Sequence, residues 1–356
     1  MNAGEWNWPH WRMMMRLSKT FPTTFLLAVC LGLSVANAAE IKIATLVPNQ
    51  SQWMQDMRAA GKVIEERTAG RVILKFYGGG TQGTEDKVLR KIQIGQLHGG
   101  TFSPTDFMKQ YSDVNIYGLP FVFSSWEEMR YVREKMDAGL AAGFENLNFV
   151  TFGFVGSFSM VLSNEPISNH ADMKGKKVWL PQGDTISYEA MRRLQLSPVA
   201  LPVTDVLTGL QTGLLDIAAI PPEVAVALQW HTRVKYFTNM PVLFAMSFLA
   251  VDKRTIDKLS AEDQAILREE LSKVYAKIDL NASNDSKNAM EALVKIGIQK
   301  VEPDEGQFFE LQQTMSEANR EMARNGVFPL SVFDEMQGHL NDFRTAHPNT
   351  AVPSGH

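Results

Sequence analysis

Few of the residues able to do chemistry in this chain stand at spacings that would let them act together. Of its seven histidines, His98, His170 and His231 have no second ligand at zinc spacing, and His10, His339, His347 and His356 lie towards the ends. The run "GGGTQGTEDK", Gly78 to Lys87, has the glycines of a phosphate loop but lacks GK[ST], and Lys87 is misplaced for one. A loop leaving a strand is the simpler reading. Ser103, Ser157 and Ser159 lack the GxSxG frame of a strained nucleophile turn. The carboxylate pairs Glu127/Glu128 and Glu269/Glu270 fall in helical patterns among charged neighbours, where solvated faces explain them better than acid–base work. The one cysteine, Cys30, lies in an apolar N-terminal run, so the rest of the chain has no disulfide, thiolate metal site or cysteine nucleophile. With no catalytic constellation and no cofactor or metal site expected, the residues point to a binder rather than an enzyme.

The N-terminus sets the setting. Arg12, Arg16 and Lys19 precede the apolar run "TTFLLAVCLGLSV", and Ala36-Asn37-Ala38 is a small-x-small cleavage site. Residues 1–38 read as a cleaved signal peptide that exports the chain to the periplasm. Residues 39–356 then carry 32 basic against 38 acidic side chains, without basic runs, which disfavours nucleic acid as a partner. A length of 318 residues suits two lobes, because single cores stop growing at roughly 250–300 residues.

From Ile41 onward strand and helix patterns alternate, as in α/β units. "IKIATL" alternates at period two; Trp53 to Thr68 is apolar at helical spacing; "AGRVILKFYGGG" is a turn, a strand and a glycine-rich exit; Val88, Ile92 and Ile94 mark a second helix. Further strands are expected at "FVTFGFV", "FSMVLS", "KKVWL", "SPVAL", "LLDIAAI" and "VLFAMSFLAV", with helices over Thr185 to Leu194 and Val203 to Gly213. Ser260 and Asp263 form a capping box that opens a long helix. Continued to Ile296 it would be roughly 50 Å long, so it must bridge both lobes or break near "NASNDSKN". The cleft between lobes is the default binding site.

Several segments, in order, resemble the DctP-type solute receptors of TRAP transporters: "EERTAGRVILKFYGGGTQGTEDKVLRKIQIGQLHGG", "YGLPFVFSSWEEM", "NEPISNHADMKGKKVWLP", "LSPVALPVTDVLTGLQTGLLDIAAIPP" and "VDKRTIDKLSAEDQAIL". The resemblance implies a two-lobed α/β periplasmic binding protein fold with a ligand cleft and a long helix crossing both lobes. Lobe I is expected over 39–155 and about 243–280, lobe II over 156–242 and about 281–330 with the C-terminal helices, and 345–356 as a disordered tail. It further implies a monomer that captures a small organic solute and passes it to the small and large membrane subunits of an ion-driven permease.

Three positions depart from the family pattern. Where the strand after "KG" normally carries an arginine that grips the solute's carboxylate in a bidentate pair, this chain has Trp179. "DIAAIP" puts Ile220 where the family commonly has a ligand-binding asparagine, and "GSF" puts Phe158 where an arginine often stands. A cleft walled by Trp179, Phe158 and Ile220 favours an apolar or aromatic solute. Gln182, Asp184, Thr185 and Glu223 are near enough in sequence to fix its polar end, and the two acids also suit a cation stacked on Trp179. From the first lobe Gln52, Trp53, Gln82, Phe102 and Ser103 lie at or just after strand ends, where α/β clefts form. Three alternatives stand beside this reading: all three apolar residues are core, with an organic acid held by Arg192, Arg193 or backbone amides; the receptor serves a membrane kinase; or the chain is an exported enzyme.

Overall fold

The computed structural model describes residues 38–348; the signal-peptide reading concerns residues outside that range, apart from Ala38. The first elements are β1 (Ala39–Ala44), α1 (Gln52–Arg67), β2 (Val72–Tyr77), α2 (Glu85–Gln93), β3 (Gly99–Phe102), α3 (Trp126–Gly143) and β4 (Phe149–Ser163). They are followed by β5 (Lys177–Pro181), α4 (Thr185–Arg193), β6 (Ser197–Leu201), α5 (Val206–Thr212), β7 (Ile217–Ile220), α6 (Pro222–Ala227) and β8 (Tyr236–Asp252). The chain closes with α7 (Lys253–Ile256), α8 (Ala261–Lys295), β9 (Gln299–Val301), α9 (Gln307–Arg324) and α10 (Leu330–Ala346).

The strands form one ladder in the order β2-β1-β3-β8-β4-β7-β5-β6, with β9 on β8. Its spine is the antiparallel pair β4 and β8, 15 and 17 residues long. At one end Phe149 to Val155 pair with Ser247 to Asp252, and β8 carries β3, then β1 and β2. At the other end Val161 to Ser163 pair with Tyr236 to Thr238, β4 carries β7, β5 and β6, and β8 carries β9. The two lobes are the two ends of this pair, each with its own helices.

The segments expected as two strands, "FVTFGFV" and "FSMVLS", are therefore one strand. Two bulges, at Thr151/Phe154 and Ser159/Val161, break its alternation and make it read as two pieces. At the first bulge Gly153 has φ +141, and a Cβ there would lie 2.5 Å from the Cβ of Tyr275. Only glycine allows α8 to cross β4 so closely.

Helix α8 runs unbroken for 35 residues, about 52 Å. Its first half is tied to the β1–β3 end by Arg71 with Asp263 (2.7 Å), Arg67 with Glu270 (2.5 Å) and Lys277 with Asp56 (3.0 Å). Its last turns bury Leu293 among Trp230, Phe237 and Leu215 of the other end. The polar "NASNDSKN" does not interrupt it because Ala282, Ser286 and Ala289 are small enough to bury against the fold. Ser260 does accept from the Asp263 amide (3.1 Å), but the Asp263 carboxylate is engaged by Arg71 rather than closing a reciprocal box.

Two of the four carboxylates expected on solvated faces are buried. Glu128 has no exposure; it accepts from Arg344 Nε at 2.6 Å and from the Ser124 amide, docking α10 on α3. Glu270, 9% exposed, takes Arg67 and Lys273. Helical spacing could not reveal this, because Arg344 and Arg67 come from elements more than 200 positions away. α10 also continues to Ala346, two residues into the expected tail, anchored by buried Phe343.

Gly153→Ala should lower stability by about 1–3 kcal/mol through strain and crowding at Tyr275. Gly139→Ala, in α3 with open space around its Cβ, should raise stability by about 0.5–1 kcal/mol. Urea unfolding of the two variants measures both, and equal effects would mean that the β4–α8 crossing is not tight.

Candidate ligand cavity

A cavity of about 680 Å³ opens where the C-terminal ends of β5, β6 and β7 face the loop after β3. Strand β5 leads into it. After Pro181 the chain turns on Gly183, at φ +90, and the Asp184 amide closes the turn on the Pro181 carbonyl (3.1 Å). Asp184 then caps α4 by accepting from the Ser187 amide at 2.9 Å. Opposite, Ser103 ends β3; its amide and hydroxyl both donate to Asp106 Oδ2 (2.8 and 2.9 Å), and Asn115 Nδ2 donates to the Pro104 carbonyl (3.1 Å).

Five of the residues expected at the site line this cavity: Trp179, Ile220, Gln182, Asp184 and Ser103. Trp179 is 4% exposed; its Nε1 donates to the Leu201 carbonyl at 3.0 Å and its ring meets Trp230 edge-on at 5.1 Å. Its only donor is thus committed to the neighbouring strand, and what it offers the cavity is apolar. Gln182 is exposed on the turn.

The other seven, Thr185 and Gln52 among them, do not line it. Phe158 packs edge-on between Trp126 (5.3 Å) and Phe244 (5.4 Å), and its neighbour Ser159 lines the cavity instead, because adjacent residues on β4 face opposite ways. Phe102 is buried against Phe107. Trp53 packs edge-on against Tyr275 of α8 at 5.9 Å. Gln82 is taken up by Lys91, which donates to both its carbonyl and its side chain at 2.9 Å. Glu223 stands in the first turn of α6, just after β7, and is not part of the cavity wall. Its Oε2 and the Ser157 Oγ beside it are buried, and neither makes a hydrogen bond of ordinary geometry. Arg192 and Arg193 lie on the outer face of α4 with Glu189 and Glu321, away from the cavity.

Groups that the sequence did not single out complete the walls. Asp106, Glu85 and Asp86 face the mouth. Burial, and then the charge of Glu85, push the Asp106 carboxyl up to about 7, and burial raises Glu85 and Asp184 as well. Arg90 and Lys109 stand at the same rim, exposed and without a hydrogen-bond or ion-pair partner among the described residues. The deeper walls are aliphatic: Val161, Met173, Val178, Met191, Ile217 and Val242. Among the described residues no three His, Cys, Asp or Glu are grouped to hold a metal ion. No helix among them is long and apolar enough to cross a membrane.

Two lobes built on a shared strand pair, a helix spanning both and a recessed cavity at the strand ends define a solute-binding receptor fold. Residues 43–325 match the bacterial extracellular solute-binding protein family 7, DctP, and the chain belongs to that family. It is a family of receptors rather than enzymes. The chain is 27% identical over 256 residues to the uncharacterized protein YiiZ of Salmonella typhimurium, covering 68% of this chain and 75% of that one. It is 22% identical over 208 residues to the 2,3-diketo-L-gulonate-binding periplasmic protein YiaO of Escherichia coli, covering 58% and 63%. A TRAP periplasmic solute binding protein from Desulfovibrio salexigens, solved with orotic acid, superposes with a TM-score of 0.78 at 19% identity over 85% of this chain and 99% of that one. DctP7 of Bordetella pertussis, a receptor binding pyroglutamic acid, gives 0.77 at 18% identity over 85% and 100%. At such identities the structural likeness establishes the fold.

Glu223 yields a pH test. Burial pushes its carboxyl up to about 7 from the ordinary 4.5, so the folded state keeps a proton that the unfolded chain gives up. Stability from this group therefore falls as pH rises from about 4.5 to 7, and the loss is complete above 7. Glu223→Gln should be more stable than the parent by about 1–3 kcal/mol at pH 8 and equal to it near pH 4. Parallel stability–pH curves for the two would contradict this.

Proposed function

We propose that this protein is the extracytoplasmic receptor of a TRAP-type secondary transporter, exported by its cleaved N-terminal segment. It takes a small organic solute into the cavity, closes its lobes over it and delivers it to the small and large membrane subunits of the permease. The lobes of this proposal are 39–155 with about 243–280, and 156–242 with about 281–330. Closure bends the β4–β8 pair where it passes between them. Support comes from the family and from a cavity whose size is ordinary for small-molecule sites.

The observation that carries the ligand class is the chemistry of the inner wall. No guanidinium or ammonium lies among its deeper lining residues, and Trp179, which we read as standing where the family carries its arginine, gives its one donor to Leu201. A carboxylate seated there would be desolvated without a partner. An organic solute with an apolar or aromatic body is the reading favoured, its polar end on Ser103, Gln182 or the acidic mouth. One observation favours a second reading: Arg90 and Lys109, unpaired at the rim, are donors for an organic acid held shallowly, and the orotate-bound and pyroglutamate-binding relatives take acids.

A thermal-shift screen of the purified chain separates the two. A solute at one hundred times its dissociation constant stabilises by about 2.7 kcal/mol. Apolar and aromatic solutes should give such shifts, and replacing both Arg90 and Lys109 by Gln should change their affinity less than twofold. Shifts confined to sugar acids, keto acids or dicarboxylates, lost in that double variant, would establish the second reading instead.

A further inference from the structure

The cavity does not end at the mouth. Its walls follow β5 from Pro181 back to Val178, reach Ile217 at the start of β7, which is paired with Val178, and end at Leu196 just before β6. At about 3.3 Å per residue this path runs the length of the short strands, roughly 13 Å from the mouth. Helix α4 covers it with Ile186, Ala190, Met191 and Leu194, and β8 closes its side with Met240 and Val242.

The path is a seam between two parts of the lobe interior. One holds Ala190, Leu194 and Met240 with Phe308, Leu311 and Met315 of α9; the other holds Val161, Met173, Val178 and Ile217. Leu196 and Val242 pack against both. Interiors normally close such seams to crystal-like density, and an open one loses packing in proportion to its volume. Water gains little there, because the walls offer it no polar partner. Polar side chains gather at the outer end, at Ser103, Thr105, Asp106, Gln182 and Asp184, with Ser159 and Ser187 between them and the aliphatic inner walls.

We propose that the solute is an amphiphile whose unbranched aliphatic tail threads behind α4, along β5 towards Leu196, while its polar head stays at the mouth between Ser103 and Gln182. The proposal rests on the receptor reading above and specifies its ligand. A space whose inner half is walled by aliphatic side chains and is long beside one short strand fits a linear chain, and a ring system would fill the mouth and leave the inner half empty. Met173, Met191 and Met240 lend the walls unbranched, adaptable side chains that shape themselves around such a tail.

Isothermal titration of the full chain with n-alkanols, n-alkylamines and n-alkanoates from butyl to dodecyl, below their micellar concentrations, tests this, with benzyl alcohol and phenylacetate as ring comparators. Affinity should rise roughly fourfold per added methylene and then level off once the seam is full. Val242→Phe and Leu196→Phe, which fill the inner end, should leave butyl binding unchanged and weaken decyl binding at least tenfold. Their melting temperatures should stay level or rise, which separates a blocked seam from a misfolded chain. Affinity independent of tail length, or ring compounds and sugar acids binding more tightly than any decyl compound, would overturn the tail proposal and leave the receptor reading standing. Absence of binding by every compound in this series and in the thermal-shift screen would overturn both.

Discussion

Everything in this molecule is hung on the antiparallel pair β4 and β8. Two strands of 15 and 17 residues run side by side through both lobes, and each remaining strand joins one end or the other. A spine of this kind lets two lobes share one backbone ladder and still bend where the pair passes between them. The crossing is tightened from outside by α8, which lies on Gly153 through Tyr275. It is also tied through Arg133, a nearly buried guanidinium that reaches Asp137 of its own helix, Asp279 of α8 and the Phe154 carbonyl of β4. Such a charge keeps its place only while all its partners stay in reach, so it links α3, α8 and β4 as one unit.

The chemistry of the cavity follows from how the polar groups around it are already used. Trp179 donates to Leu201, Asp184 caps α4, and Ser103 holds Asp106. Each of these satisfies a local need of the fold, and what remains facing the inner space is mostly carbon, with Ser159 the polar exception on β4. The carboxyls left at the mouth hold protons more readily than usual, through burial first and neighbouring carboxylate charge second, which makes the mouth a poor seat for a bare carboxylate. Affinity in such a site comes from the apolar part of the solute, with orientation supplied by the few polar groups at one end.

Much of the fold was legible in the sequence because its signals are local. The alternation in "IKIATL", the helical spacing from Trp53 and the Ser260 cap each specify an element without outside help. The unity of β4 was hidden because its two bulges interrupt the alternation that identifies a strand. The burial of Glu128 was hidden because Arg344, 216 positions away, supplies the cover. Of the positions read from departures in the family pattern, Trp179 and Ile220 line the cavity, and of those read from strand ends only Ser103 does. Phe158 does not, because its neighbour Ser159 faces the cavity. The seam behind α4 left no trace in the sequence: Met173, Met191 and Val242 look like core, and only the distance between helix and sheet distinguishes a filled interior from an open one.

The most direct measurement is a crystal structure of the protein with its solute bound. The account expects the apolar part of the solute in van der Waals contact with Ile220, Val178 and Met191, with no guanidinium on it and the lobes closed at the β4–β8 crossing. A compact acid held by Arg90 and Lys109 at the rim, with the space behind α4 collapsed or filled by ordered water, would contradict it.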